Sequence, residues 1–130
     1  MTDAVDIAQW ALRIALALVF IAMGVSHFVA APARTMAAMI PPALRQTWMP
    51  SPAVFVTLTG LCEVAGGLGL LWEPTRFIAG IALVLFLIAV FPANAYAAEH
   101  PERFGRVATP FWPRYFMQML LIALCLLAAL

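Results

Sequence analysis

Residues 59–71 read TGLCEVAGGLGLL, and the interpretation of the whole chain starts from this stretch. It lies in a long apolar segment and contains one acid, Glu63. A charged side chain at the centre of a membrane helix is unfavourable by about 2.5–3.5 kcal/mol, so an intramembrane acid is a candidate functional residue. On a helix, its neighbours three and four residues away are one threonine and three glycines. Glu63 therefore lies in a groove that can accept either another helix or a ligand.

The composition is that of a membrane protein. The chain has 130 residues, of which 65% are hydrophobic and 10% are charged, whereas soluble domains carry about 25% charged residues. The net charge of +1 argues against a nucleic-acid partner, which would require a basic patch. There is no CxxC motif and no Cys/His spacing typical of a zinc site. We expect one domain without a metal or an intrinsic cofactor.

Hydropathy predicts an all-α integral membrane protein, a four-helix transmembrane bundle with two long loops on one side. The predicted spans are residues 7–29, 53–72, 76–93 and 114–130, and the long loops are residues 30–50 and 94–113. At 1.5 Å per residue the spans are about 25–35 Å long, enough to cross a bilayer. Prolines 41 and 42 should end any helix in the first loop, although residues 33–40 can form a short interfacial helix.

The arginines predict an orientation. Five lie in or beside the two long loops: Arg34, Arg45, Arg103, Arg106 and Arg114. Only Arg76 lies near the surface on the opposite side. The positive-inside rule therefore predicts that both long loops are cytoplasmic and that both termini are outside.

Arg13 is the predicted partner of Glu63. It belongs to a stripe of the first helix, at spacings of three and four residues, that is polar at both ends and small in the middle. Because the first two spans are antiparallel, the two residues lie within about 5 Å of the same depth. We expect an ion pair or a water-linked pair between Arg13 and Glu63. Such a pair can be a structural clamp, or a site for a polar headgroup or a proton.

A second polar group is predicted at the loop side. His27 ends the first span, Asn94 follows the third, and Arg114 and Gln118 begin the fourth on one helical face. In the simpler interpretation His27 caps its helix and Arg114 binds a lipid phosphate. In the alternative, the four residues form the mouth of a cavity that leads to Glu63, with the imidazole as a proton carrier.

Several short motifs resemble one family. They are GVSHF at 24–28, MIPP at 39–42, TGLCEVAGGLGLL at 59–71, FPAN at 91–94 and RYFMQ at 114–118. In order and spacing they resemble the DoxX family of small four-helix membrane proteins. The resemblance implies a bundle in the bacterial plasma membrane. Some members are linked to quinone reduction in a thiosulfate:quinone oxidoreductase, and another to an oxidative-stress complex with a dismutase and a sulfurtransferase.

The sequence supports two alternative functions. The first is a quinone- or lipid-binding subunit, in which the headgroup meets Arg13, Glu63 and His27 and a soluble redox enzyme at the loop side delivers electrons. A quinone would then be the only cofactor. The second is a non-catalytic scaffold or assembly partner for a soluble enzyme. A proton-coupled transporter is a weaker third option, because four short helices leave little room for alternating access unless the protein oligomerises. An independent enzymatic activity is not expected.

Overall fold

The computed structural model describes residues 3–105 and 110–130, and all its regular elements within these ranges are helices. They are α1 (Ala4–Ser26), α2 (Ala30–Met39), a 3-10 turn (Pro42–Leu44), α3 (Pro52–Leu70), α4 (Glu73–Glu99), α5 (Pro101–Phe104) and α6 (Phe111–Ala129). Helices α1, α3, α4 and α6 are each long and apolar enough to cross a membrane. The structure therefore confirms an all-α chain with four candidate spans.

The four long helices form a ring in which neighbours in sequence are neighbours in space. Helix α1 packs along α3, α3 along α4, and α4 along α6, and a smaller contact between α1 and α6 closes the ring. The short helix α2 lies against α3 and α4. Buried apolar side chains from all four long helices fill the centre, among them Leu16, Phe20, Leu70, Leu83, Leu87 and Cys125.

Neighbouring helices fill the glycine groove around Glu63. A Cβ atom added to Gly60 would lie 2.6 Å from the Cβ atom of His27, so α1 approaches α3 closely at this point. A Cβ atom added to Gly66 would lie 2.6 Å from a methyl carbon of Leu83 in α4. Small residues allow such close approach in membrane helix pairs. Of the two possibilities open for this groove, the structure shows the packed helix.

Some helix boundaries differ from the prediction. Helix α4 continues through Pro92 to Glu99, although the third span was predicted to end at residue 93. Proline removes one backbone donor, but apolar spanning helices tolerate it where neighbouring helices satisfy the freed groups. Asn94 is therefore a helical residue rather than the start of a loop. Helix α2 occupies much of the first predicted loop and ends before Pro41, as expected.

The bundle has a loop end and a terminal end. The loop end is where α1 and α4 finish, and Asn94 and Arg114 lie there. The terminal end is where α1 begins and α6 finishes. There, Asp3 caps α1, because its carboxylate accepts a hydrogen bond of 3.0 Å from the backbone N–H of Asp6.

Candidate functional site

The central feature is a contact between an imidazole and the buried acid. His27 directly follows α1, and its Nε2 atom lies 2.8 Å from Oε2 of Glu63 in α3. The two side chains are only 10% and 7% exposed. On the other side of the ring, Nδ1 lies 2.8 Å from the carbonyl oxygen of Val56 and 3.2 Å from the hydroxyl of Thr59. Three residues of α3 thus fix the orientation of one imidazole.

The geometry determines where protons can reside. A carbonyl oxygen can only accept, so the contact with Val56 requires a hydrogen on Nδ1 of His27. The contact between Nε2 and Glu63 is then favourable when one further proton lies between them, on the ring nitrogen or on the carboxyl group. With the proton on the ring, an imidazolium faces a carboxylate. With the proton on the acid, both groups are neutral. The pair can therefore hold and release one proton.

The carboxylate is incompletely satisfied. Oε2 of Glu63 is fully buried and has no hydrogen-bond partner in the described part of the chain. The 2.8 Å contact with Nε2 of His27 has the length of an ion pair, and it satisfies Oε2 only when a proton lies between the two atoms. An unsatisfied buried acceptor is destabilising by about 1–3 kcal/mol. Glu63 therefore depends on His27 for its hydrogen-bond donor.

His27 lies beyond the last residue of α1, and its environment favours the charged ring. Burial lowers its pKa, but the Glu63 carboxylate and the Val56 carbonyl outweigh this effect, and the pKa is raised above its usual value. The imidazolium–carboxylate form of the pair is favoured as a result.

A cavity of about 200 Å³ lies beside His27 at the loop end, between α2 and the start of α3. Its lining residues are His27, Ala33, Arg34, Ala37, Ala53, Val56 and Thr57. Most of the lining is apolar, while Arg34 adds a positive charge and His27 a group that can carry a proton. Glu63 is absent from the described lining, so the imidazole separates the acid from the cavity.

The predicted ion pair between Arg13 and Glu63 is wrong. Within the described residues the ion-pair partner of Glu63 is His27. Arg13 is also buried, but its Nε atom donates a 3.0 Å hydrogen bond to the carbonyl oxygen of Ala128 in α6, and its guanidinium lies 5.2 Å from the ring centroid of Trp10. The guanidinium caps the carboxyl end of α6, where a positive charge is favourable.

Two geometric effects separate Arg13 from Glu63. In α3, Gly60 packs on His27 and Gly67 packs on α1 near Phe20. Glu63 lies between these two glycines, so along the bundle axis it lies between His27 and Phe20. At 1.5 Å per residue, Arg13 is about 10 Å from Phe20 along the helix axis. Moreover, helical side chains lean toward the N-terminus of their own helix. In antiparallel helices Arg13 therefore leans to the terminal end, while Glu63 leans to the loop end and reaches His27.

The predicted loop-side group is only partly assembled. Nη1 of Arg114 donates a 2.9 Å hydrogen bond to Oδ1 of Asn94, which brings α6 and α4 together. Gln118 is buried and donates a 2.6 Å hydrogen bond to the carbonyl oxygen of Leu87. His27 belongs with Glu63 instead, and the described lining of its cavity comes from α2 and α3. The idea of a four-residue mouth above Glu63 is therefore incorrect.

Sequence reasoning missed two members of the site. Thr59 lies four residues before Glu63 on the same helical face, and this spacing was a sufficient signal for its inclusion. Arg34 lines the cavity only because α2 folds back against α3, and no periodicity in the sequence indicates this.

One family model matches the chain. It is described as a domain of unknown function, DUF8561, and the match covers residues 16–129, which include the His27–Glu63 pair and the cavity. No curated protein and no solved structure matches.

Proposed function

The chain belongs to the family of the DUF8561 domain of unknown function, and we propose that it is a multi-pass membrane protein that binds the polar head of a quinone or lipid. The four long helices form the membrane domain, and the ligand head occupies the cavity beside His27. The two long connecting segments face the cytoplasm of a bacterium, and both chain termini face outward. In this orientation Arg34, Arg45, Arg103 and Arg114 are on the cytoplasmic side; Arg106, which the sequence places with them, lies outside the described residues.

One observation carries this proposal: an imidazole that lines the cavity contacts a buried acid through its Nε2 atom. A quinone carbonyl needs a hydrogen-bond donor and, on reduction, a proton. Arg34 offers N–H donors at the cavity. Both ring nitrogens of His27 contact α3, so the proton that it shares with Glu63 reaches the ligand only when the Nδ1–H turns from the Val56 carbonyl toward the cavity. Arg34 can bind an anionic oxygen of a reduced quinone or a lipid head. A quinone is also the ligand that the resemblance of the motifs to the DoxX family implies.

Binding and electron supply are separate tasks in this proposal. Reduction of a quinone to a quinol takes two electrons and two protons. The protein supplies the binding site and a route for protons, and a soluble redox enzyme docked at the loop end supplies the electrons. The protein is thus an accessory subunit rather than an enzyme on its own.

The test is the ligand that the protein retains. The protein is purified in mild detergent, and its lipids and quinones are extracted and identified by mass spectrometry. We expect one quinone or defined lipid per chain in the wild type, and at least a tenfold loss in His27→Gln and Glu63→Gln. The matched control is His100→Gln. His100 directly follows the span Glu73–Glu99, and its Nδ1 also bonds a backbone carbonyl, that of Tyr96 at 2.7 Å. Equal retention in all four proteins, or no ligand in any of them, would refute the proposal.

A second candidate function rests on the filled groove. Because neighbouring helices occupy the glycine positions around Glu63, the His27–Glu63 pair can be a clamp that fixes α1 against α3. The protein would then be a non-catalytic scaffold that holds a soluble enzyme at its loop end. In this case Glu63→Gln changes stability but not the set of co-purified proteins, whereas replacement of residues 41–50 by a flexible linker removes the bound enzyme. Capture of the same proteins by both variants would exclude the scaffold function.

A further inference from the structure

A second cluster of charge lies at the terminal end of the bundle, opposite the His27 site. The guanidinium carbons of Arg13 and Arg76 lie 5.2 and 4.8 Å from the ring centroid of the same residue, Trp10. Both distances are in the range of cation–π contacts. Two positive charges on one indole repel each other, and the repulsion is stronger where water is excluded. Arg13 is only 5% exposed.

Each arginine is anchored in the same manner. Nε of Arg13 donates to the carbonyl oxygen of Ala128 at 3.0 Å, and Nε of Arg76 donates to that of Leu70 at 3.1 Å. Leu70 is the last residue of α3, and Ala128 lies in the last turn of α6. The Nη nitrogens of both arginines donate to no acceptor among the described residues. The two guanidinium groups are therefore held in position by their Nε hydrogen bonds, while their Nη nitrogens can still donate to a ligand.

The nearby acids do not neutralise these donors by direct contact. Asp6 and Glu73 are close enough to attract Arg13 electrostatically. Neither forms an ion pair with an arginine in the described part of the chain, where the only ion pair joins His27 and Glu63. The site thus combines a buried guanidinium with available donors, a second guanidinium on the same ring, and no bound carboxylate.

We infer that Arg13 and Arg76 form a binding site for a phosphate group, carried either by an anionic lipid or by soluble phosphate. Guanidinium groups bind phosphate oxygens through paired N–H donors, and a bound anion removes the repulsion between the two cations. This inference is independent of the His27 site. If the phosphate is carried by a lipid, the protein must have the membrane location that we propose. The ends of α3 and α6 and the start of α4 would then place the cluster at the level of the lipid headgroups. The phosphate chemistry does not require it.

The experiment measures binding in two arms. In the first, native mass spectrometry counts phosphatidylglycerol and phosphatidylcholine retained by the detergent-purified protein. In the second, isothermal titration measures binding of inorganic phosphate in a zwitterionic detergent. The variants are Arg76→Gln and Arg13→Gln. The control is Arg45→Gln, whose guanidinium lies at the loop end and already donates to the carbonyls of residues 37, 38 and 40.

We expect at least a tenfold loss of affinity in Arg76→Gln and an unchanged affinity in Arg45→Gln. One retained phosphatidylglycerol identifies a lipid as the source, while one bound inorganic phosphate identifies the soluble ion, and either result supports the site. If Arg13→Gln does not fold, the partly exposed Arg76 still provides the test. Failure of both anions to bind the wild type, or equal binding by wild type and Arg76→Gln, would overturn the inference.

Discussion

Gly60→Ala should open the interface between α1 and α3 and disturb the His27 site without removing any polar group. The new Cβ atom would lie 2.6 Å from the Cβ atom of His27 and 3.1 Å from the carbonyl oxygen of Gly24. The optimal separation of two carbon atoms is about 3.5–4.0 Å, so the helices must separate by about 1 Å. Both atoms are fixed to the backbone of α1 or next to it, and a rotamer change cannot relieve the contact.

The expected magnitude follows from that displacement. A shift of about 1 Å takes Nδ1 of His27 out of hydrogen-bond range of the Val56 carbonyl, now 2.8 Å away, and the loss of one such bond destabilises by about 1 kcal/mol. Overpacking itself destabilises by about 1–3 kcal/mol. We therefore expect Gly60→Ala to lower the free energy of unfolding by about 2–4 kcal/mol.

The assay is reversible unfolding in mixed micelles, followed by circular dichroism. Gly66→Ala is the comparison, because its Cβ atom meets only side-chain atoms of Leu83, Cδ2 at 2.6 Å and Cγ at 2.7 Å, whereas that of Gly60→Ala also meets the backbone of α1. We expect a smaller loss there. If Gly60→Ala unfolds at the same denaturant concentration as the wild type, α1 and α3 are not packed as closely as described and the reasoning is wrong.

Two further predictions use the same assay. The pKa of His27 is raised above 6.5, so its contribution to stability should be complete below pH 6.5 and be lost as the pH rises through the raised value. The variant His27→Gln should lack this pH dependence. An identical pH profile of stability in the two proteins would contradict the role of the pair. Gln118→Leu keeps the side-chain volume but removes the donor to the Leu87 carbonyl, and we expect it to destabilise by about 1 kcal/mol, whereas a gain in stability would show that this bond contributes nothing.

The sequence predicted the helices far better than their ends. Hydropathy identified all four long apolar helices, because a run of apolar residues about 20 long has few alternatives. The third span was predicted to end at residue 93, but α4 continues through Pro92 to Glu99, since proline is tolerated in apolar bundles. Helix α2 was partly anticipated in residues 33–40, and its end before Pro41 followed directly from the missing proline donor.

The site was predicted as a set of residues but not as a set of contacts. Glu63 was recognised as the central group, yet its partner was assigned from matching depth along two ideal helices. The lean of side chains toward the N-terminus of their own helix is a general rule, and it would have directed the search from Glu63 toward the loop end and His27. The register of α1 on α3 could not be predicted, because it depends on close contacts at particular glycines such as Gly60.

The hydrogen bond from Arg13 to Ala128 joins residues separated by 115 positions, and this separation has a consequence for assembly. Helices α3 and α4 each pack on the preceding long helix and can pair with it as the chain is synthesised. The contact between α1 and α6 must wait until the last helix has been made. Until then the guanidinium of Arg13 lacks its backbone acceptor. A chain truncated before α6 would therefore leave the guanidinium of Arg13 without its Ala128 acceptor, so the first helix reaches its final contacts only after the last helix has been made.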